Sequence, residues 1–298
     1  MQQRSGRLSI GVIGMGHVGP VIASALRSVG HEIIGVSASS PESRERADAM
    51  LPGVPITEVP ALVNESELVI LAVPDDQIGP LVSGLADLGA WKVGQLVAHL
   101  SGAHGIALLD PATRAGAIPL AIHPAMTFTG WSADVARLVG TPFAVTAPAP
   151  FLPIAHALVV ELGGEPVDIA ENDRVAYHAA LTHGANHLAT LVLQSLDTLR
   201  AAGVDEPGHF AAPLFSAALD RALREGDNAI SGPIPRGDAG TVAEHIRALG
   251  DLAAGGEGAD EILDTYAYMT RRTTMRLHAA GRLSDTAAEA ILAALNTL

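Results

Sequence analysis

Apolar residues follow two regimes along the chain. From residue 8 to 171, short unbroken runs such as Leu8-Ser9-Ile10-Gly11-Val12-Ile13 alternate with stretches of helical periodicity. Short apolar runs bounded by turn residues read as buried strands, and their alternation with helices is the α/β pattern. The pattern predicts strands near 8–13, 31–37, 67–73, 95–100, 117–122, 141–147 and 165–169. Helices are expected near 19–30, 41–50, 76–89, 131–139 and 150–162. After residue 171 the strand signal stops. Glu171-Asn172-Asp173 offers a cap with acids in the first turn. One helix is expected from about 173 to 202, ~45 Å long at 1.5 Å per residue. It is apolar on most sides, which predicts burial between other helices or in a subunit interface. Further helices are expected near 209–224, 239–250, 258–279 and 284–297, interrupted by a Gly- and Pro-rich loop at 226–238. The expected fold is α/β: an N-terminal Rossmann-type dinucleotide-binding domain over 1–170, then an all-α C-terminal domain over 171–298.

The first strand breaks into Gly14-Met15-Gly16-His17-Val18-Gly19 and continues as an apolar helix. GxGxxG between a strand and a helix has a physical logic. Gly14 allows a tight turn, Gly16 lets a pyrophosphate approach the backbone, and Gly19 lets the helix pack close to the strand. The amides at the helix start would face the phosphates. An NAD-preferring unit places an acid at the end of the second strand. Here that strand ends in Ser37-Ala38-Ser39-Ser40, with Arg44 and Arg46 beyond. Hydroxyls of Ser37, Ser39 and Ser40 with the Arg44 guanidinium suit a 2′-phosphate, so NADP(H) is expected. A Ser-rich helix cap with solvated arginines is the alternative.

Composition removes several function classes. The chain has 298 residues, is 48% hydrophobic and carries a net charge of −14. The acidity argues against nucleic acid or an anionic membrane as partner. Without cysteine there is no disulfide, thiolate metal site or cysteine nucleophile. No apolar run reaches the ~18 residues of a membrane helix. The segment before the first strand carries Arg4 and Arg7, but that strand ends in the glycine loop and not in a cleavage site, so a cytoplasmic protein is expected. Lys92 is the only lysine.

Several strands end in loops that carry chemistry: Val73-Pro74-Asp75-Asp76, His99-Leu100-Ser101-Gly102 and His123-Pro124-Ala125-Met126-Thr127. Ligands of open parallel sheets lie outside the carboxyl ends of the strands. His123 could act there as a general acid, with His99 and Ser101 one strand earlier, or each could serve a backbone carbonyl. On the long helix, His178, Thr182 and Asn186 share one stripe at i, i+4 and i+8. They are candidates to meet a substrate, or members of a structural network. His183 and His187 form an i, i+4 pair without the glutamate of a zincin, and no metal is expected. The loop 231–238 offers Ser231, Arg236 and Asp238. Arg236 could hold a carboxylate or pair with Asp238.

Together these motifs resemble a Rossmann-like family with a helical C-terminal domain long described as of unknown function. The residues that carry the resemblance are Gly14 to Gly19, Val73-Pro74-Asp75, Ser101-Gly102, His123 to Phe128, Tyr177-His178-Ala179-Ala180 with Asn186, and Gly232-Pro233-Ile234-Pro235-Arg236-Gly237-Asp238. The architecture is similar to ketopantoate reductases, pyrroline-5-carboxylate reductases and 3-hydroxyacid dehydrogenases. The resemblance implies reduction of C=O or C=N with a nicotinamide cofactor, and a homodimer formed through the helical domain. Some members of the family are similar to an alternative ketopantoate reductase of pantothenate synthesis. Ordinary ketopantoate reductases use a lysine on the long helix as proton donor, and His178 stands where spacing would put it.

The expectation is an NADPH-dependent reductase of a small 2-oxo acid, with ketopantoate as substrate. His178 would donate the proton, with His123 as second choice. Asn186 and Ser231 would orient the reacting oxygen, and Arg236 would hold the carboxylate. Thr182, Asp238 and Ser101 would line the substrate, and Val73 and Pro74 the cofactor. An imine reductase and a non-catalytic NADP-binding regulator are the alternatives.

Overall fold

The computed structural model describes residues 6–255 and 259–296. Arg4, and residues 258 and 297 at the ends of two expected helices, lie outside the described residues. Packing divides the chain into two compact units, Met1–Ala185 and Asn186–Leu298.

The first unit is built on one sheet of seven strands: β1 (Ser9–Ile13), β2 (Glu32–Ser37), β3 (Leu68–Leu71), β4 (Leu96–His99), β5 (Ile118–Pro124), β6 (Pro142–Thr146) and β7 (Glu165–Asp168). Their order is β2-β1-β3-β4-β5-β6-β7. Every residue of β3 and β4 is buried, as expected for strands covered on both faces. The order reverses direction beside β1, which puts the glycine loop at the switch point of a doubly wound sheet. The helices are α1 (Gly19–Ser28), α2 (Pro41–Met50), α3 (Val59–Glu65), α4 (Asp75–Asp87), α5 (Asp110–Arg114), α6 (Ala133–Arg137), α7 (Leu152–Glu161) and α8 (Arg174–Thr182). The one- to two-turn helices α3 and α5 are additions to the sequence reading; both are too short to show periodicity.

Two features depart from expectation. β6 runs antiparallel to β5, with Ala121 opposite Thr146 and Pro124 opposite Phe143. A parallel neighbour would need a crossover helix over the sheet. The link 125–141 instead holds only the short α6 and returns directly, with Ala125 N–H donating to the Pro142 carbonyl at 2.9 Å. The expected single helix is also interrupted. After α8, His183–His187 form a π-helical turn before α9 (Leu188–Ala201).

The second unit continues with α10 (Pro207–Glu225), α11 (Ala239–Gly255), α12 (Ala259–Ala279) and α13 (Asp285–Leu295). Val242, Ile246, Leu277, Ile291 and Leu295 form its core. Helix α9 buries none of its residues. Among the described residues no helix is long and apolar enough to cross a membrane.

Candidate active site at the carboxyl ends of the strands

The loops after β1, β3 and β4 and the end of β5 share one rim of the sheet, because these four strands are parallel. In the first loop the glycines divide their tasks. Gly14 has φ +102°, and a Cβ on it would stand 2.4 Å from the Ala72 carbonyl oxygen. A Cβ on Gly19 would meet the Gly14 carbonyl oxygen at 2.0 Å. Around Gly16 nothing lies within 4 Å of that position, so its missing side chain leaves open space beside the start of α1. Met15 is buried, His17 exposed, and Val18 precedes the first helical residue.

Neighbouring groups hold this loop in place. Gly14 N–H donates to the Ser37 carbonyl at 3.1 Å. Arg46 Nε donates to the Gly16 carbonyl at 3.1 Å and lies 3.4 Å from that of Met15. Arg46 is therefore committed to the loop's outer face, whereas Arg44 is exposed. Ser40 caps α2: its Oγ accepts from Ser43 N–H at 3.2 Å, and Ser43 Oγ accepts from Ser40 N–H at 3.0 Å. Ser39 is exposed and Ser37 half-buried at the end of β2; Val73 and Pro74 lead into α4.

Further along the rim, two of the expected candidates serve the scaffold. His99 is fully buried. Its Nδ1 accepts from Ser101 N–H at 3.2 Å, which leaves the proton on Nε2 to be donated to the Gly105 carbonyl at 2.8 Å. Burial, helped by the Arg174 charge, lowers its pKa to about 4. Ser101 Oγ donates to Asp75 Oδ2 at 2.8 Å and accepts from His104 N–H at 3.3 Å. It ties the β3 and β4 loops together.

His123 is placed differently. Its Nδ1 is 2.9 Å from Tyr177 Oη, and its ring stands edge-on to His178 with centroids 5.9 Å apart. Both histidines lie over Gly102: a Cβ there would be 2.5 Å from His178 Cδ2 and 2.9 Å from His123 Nε2. Only glycine lets these rings approach the β4 loop. Burial first, then the neighbouring His178 and Arg174 charges, lower the His123 pKa to about 4. Burial raises that of Tyr177, and the Arg174 charge opposes the rise.

Arg174, which the sequence reading did not single out, anchors this cluster. It is fully buried at the start of α8. Its Nε donates to Thr146 Oγ1 at 2.8 Å, and its Nη2 donates to the carbonyls of Ala121 at 2.7 Å and Ala144 at 3.1 Å. Nη1 reaches the Ser101 carbonyl at 3.4 Å. Buried cations persist when hydrogen-bonded on every side. This one pins α8, and with it Tyr177 and His178, to the ends of β4, β5 and β6. Glu171 caps a different element than expected, accepting from Ile106 N–H at 2.8 Å and Ala107 N–H at 3.1 Å.

Residues 1–124 match the family model of a Rossmann-like domain, and residues 141–273 match that of a domain of unknown function, DUF2520. No curated protein sequence matches the chain. Among solved structures it is similar to a Bacteroides fragilis protein assigned as an NADP oxidoreductase, at 19% identity and TM-score 0.71, covering 90% of this chain and 98% of that one. It is also similar to an imine reductase of Streptomyces aurantiacus, at 17% identity and TM-score 0.63, covering 94% and 98%. A third is the Plasmodium falciparum pyrroline carboxylate reductase with NADP bound, at 12% identity and TM-score 0.57, covering 97% and 96%. At these identities the likeness is one of fold.

The remaining expected residues are placed as follows. Thr182 is half-buried one turn beyond His178 in α8. The regular spacing behind a His178–Thr182–Asn186 stripe ends there, because the π-helical turn begins at His183. Asn186 is exposed. In the second unit, Ser231 and Arg236 are exposed on their loop. Asp238 gives its carboxylate to Thr241, accepting from N–H at 2.9 Å and from Oγ1 at 2.7 Å. It caps α11, and the Thr241 bonds first, then the nearby Arg236 charge, hold its pKa below the ordinary value. Lys92 Nζ donates to the Asn64 carbonyl, at the entrance to β4 and away from the rim.

Proposed function

We propose that this protein is an NADP(H)-dependent reductase of a small 2-oxo acid, with ketopantoate the first substrate to test. The observation that carries the reading is the His123–Tyr177–His178 cluster on the same strand ends as the glycine loop. The loop fits a dinucleotide. Gly16 leaves space where a pyrophosphate would need it, beside the N-terminus of α1. Gly14 to Gly19, Val73 and Pro74 would hold the cofactor, with Ser37, Ser39, Ser40 and Arg44 facing its 2′-phosphate. When bound, the nicotinamide supplies a hydride. The chain supplies positioning and a hydrogen-bond donor for the substrate oxygen. A neutral imidazole at His123 can donate from Nε2 to that oxygen, with His178 beside it. A homodimer through the helical domain belongs to the same reading, since α9 and α10 leave apolar side chains exposed.

The likeness to imine reductases, and the lack of a lysine on α8, support a second reading. An imine can arrive protonated and needs no acid from the protein. Purified protein with NADPH, offered a panel of 2-oxo acids and cyclic imines, separates the two by loss of nicotinamide absorbance. Turnover of ketopantoate or another 2-oxo acid supports the first reading, and turnover of imines alone replaces it with the second. Tight NADPH binding with no turnover of any member overturns both.

A further inference from the structure

Reduction of a carbonyl needs a proton on oxygen as well as a hydride on carbon. Lys92 is committed to Asn64, and His123, with a pKa near 4, carries no surplus proton at neutral pH. Its Nδ1, however, is bonded to a phenol, Tyr177 Oη, at 2.9 Å. Its Nε2 has no protein partner among the described residues and is not sealed from solvent. A proton taken from Nε2 can therefore be replaced at Nδ1. The buried Arg174 guanidinium adds the second requirement. Among the described residues its hydrogen-bond partners are a hydroxyl and carbonyls, the Glu171 and Tyr177 charges act on it from nearby, and it stands three residues before Tyr177 on α8. Burial raises the Tyr177 pKa, and the Arg174 charge works against that rise by favouring the phenolate.

We infer that Tyr177 supplies the proton of the reduction, acting through His123, with Arg174 holding both the geometry and the charge. The inference rests on the reductase reading. The reduced nicotinamide provides two electrons and the hydride that forms the C–H bond. The substrate oxygen takes the proton of His123 Nε2–H. Nδ1 in turn takes the proton of Tyr177 Oη–H, leaving a tyrosinate near Arg174. Uptake of a proton from water at Nε2, with return of the Nδ1 proton to Oη, restores the starting state. His178, His99, Asp75 and Arg174 are the charged or titratable groups that act on His123 besides Tyr177. Of this pair only His123 touches the substrate, and Tyr177 is its positioning and relay partner.

Tyr177→Phe removes only the hydroxyl. We expect kcat on a 2-oxo acid to fall about 100-fold, the size of a general-acid contribution, with KM for NADPH unchanged and the melting temperature preserved. The proton inventory in mixed H2O and D2O should change from two protons in flight to one. Nitrogen NMR of labelled histidine gives a readout without turnover: in the wild type His123 carries its proton on Nε2, and in the variant that preference is lost. Should the variant not fold, replacement of the tyrosines by 3-fluorotyrosine lowers the phenol pKa and should move the alkaline limb of kcat downward by about one pH unit. Turnover within twofold of the wild type with an unchanged inventory overturns the relay, as does a wild-type His123 protonated on Nδ1 or an unmoved alkaline limb. A wild type that binds NADPH and reduces nothing overturns the reductase reading and the relay together. That failure shows in the wild type; failure of the relay alone shows only in the variant or in the tautomer.

Discussion

Single residues on this rim divide between holding the fold and leaving room for a ligand. Gly19 faces backbone at 2.0 Å and Gly16 faces nothing within 4 Å. Gly19→Ala should therefore unfold or severely destabilise the first unit. Gly16→Ala should keep its melting temperature and lose tenfold or more in NADPH affinity, as titration of cofactor fluorescence would show. His99 makes a second test. Its pKa is about 4 in the folded protein and 6.5 ordinarily, so between these values the unfolded chain binds a proton that the native state refuses. Stability is then full above pH 6.5 and falls as the pH drops toward 4, by up to about 1.4 kcal/mol per unit. Denaturant unfolding at pH 7 and pH 4.5 should show this loss together with that of His123, whose pKa is lowered likewise, and His99→Gln should remove only the His99 share. Sequence alone named His99 and His123 as similar rim histidines. What distinguishes them is the Gly105 carbonyl on one and the Tyr177 hydroxyl on the other, and neither partner follows from spacing. Arg174 was illegible for the same reason: an arginine at a helix start normally reads as solvated.

At the scale of elements, local signals served well where one residue sets the outcome. Pro20 and the glycines start α1, and Ser40 with Pro41 starts α2. The loop after β5 was less readable. It folds around Asp134, a buried carboxylate that accepts from Thr129 N–H at 2.6 Å, Thr129 Oγ1 at 2.9 Å and Gly130 N–H at 2.9 Å. Burial alone would raise the Asp134 pKa, and these bonds keep it below its ordinary value. Gly130 in turn approaches His17 of the glycine loop, where a Cβ would be 3.1 Å from the His17 Cα. Asp134 also accepts from Arg137 Nη1 at 3.0 Å, so Asp134→Ala leaves four donors without their acceptor and should cost about 1–3 kcal/mol, seen in denaturant unfolding. It should also weaken NADPH binding through the displaced glycine loop. The π-helical turn at His183–His187 had no visible signature, because helical periodicity does not report a local change of hydrogen-bond step.

For the whole molecule, the helical unit raises the question of what covers its surface. Leu193 of α9 is 61% exposed, and Phe210 and Leu214 of α10 are 66% and 69% exposed. Large exposed apolar patches mark interaction sites, and a second copy is the proposed cover. Light scattering should then give the mass of two chains, and Leu214→Glu should shift it toward one. Turning to the fold, the strands, the glycine loop and the change to helices after residue 171 were determined by sequence alone. Each follows from local periodicity or from the steric freedom of a glycine, and both are properties of a short stretch of chain. The antiparallel entry of β6, the burial of Arg174 and the division of labour between His99 and His123 were decided only by tertiary structure. They depend on which backbone carbonyls and side chains are brought together from β4, β5, β6 and α8. A buried charge or a neutral imidazole is set by those distant partners, and the residue's own neighbours in the chain do not encode them.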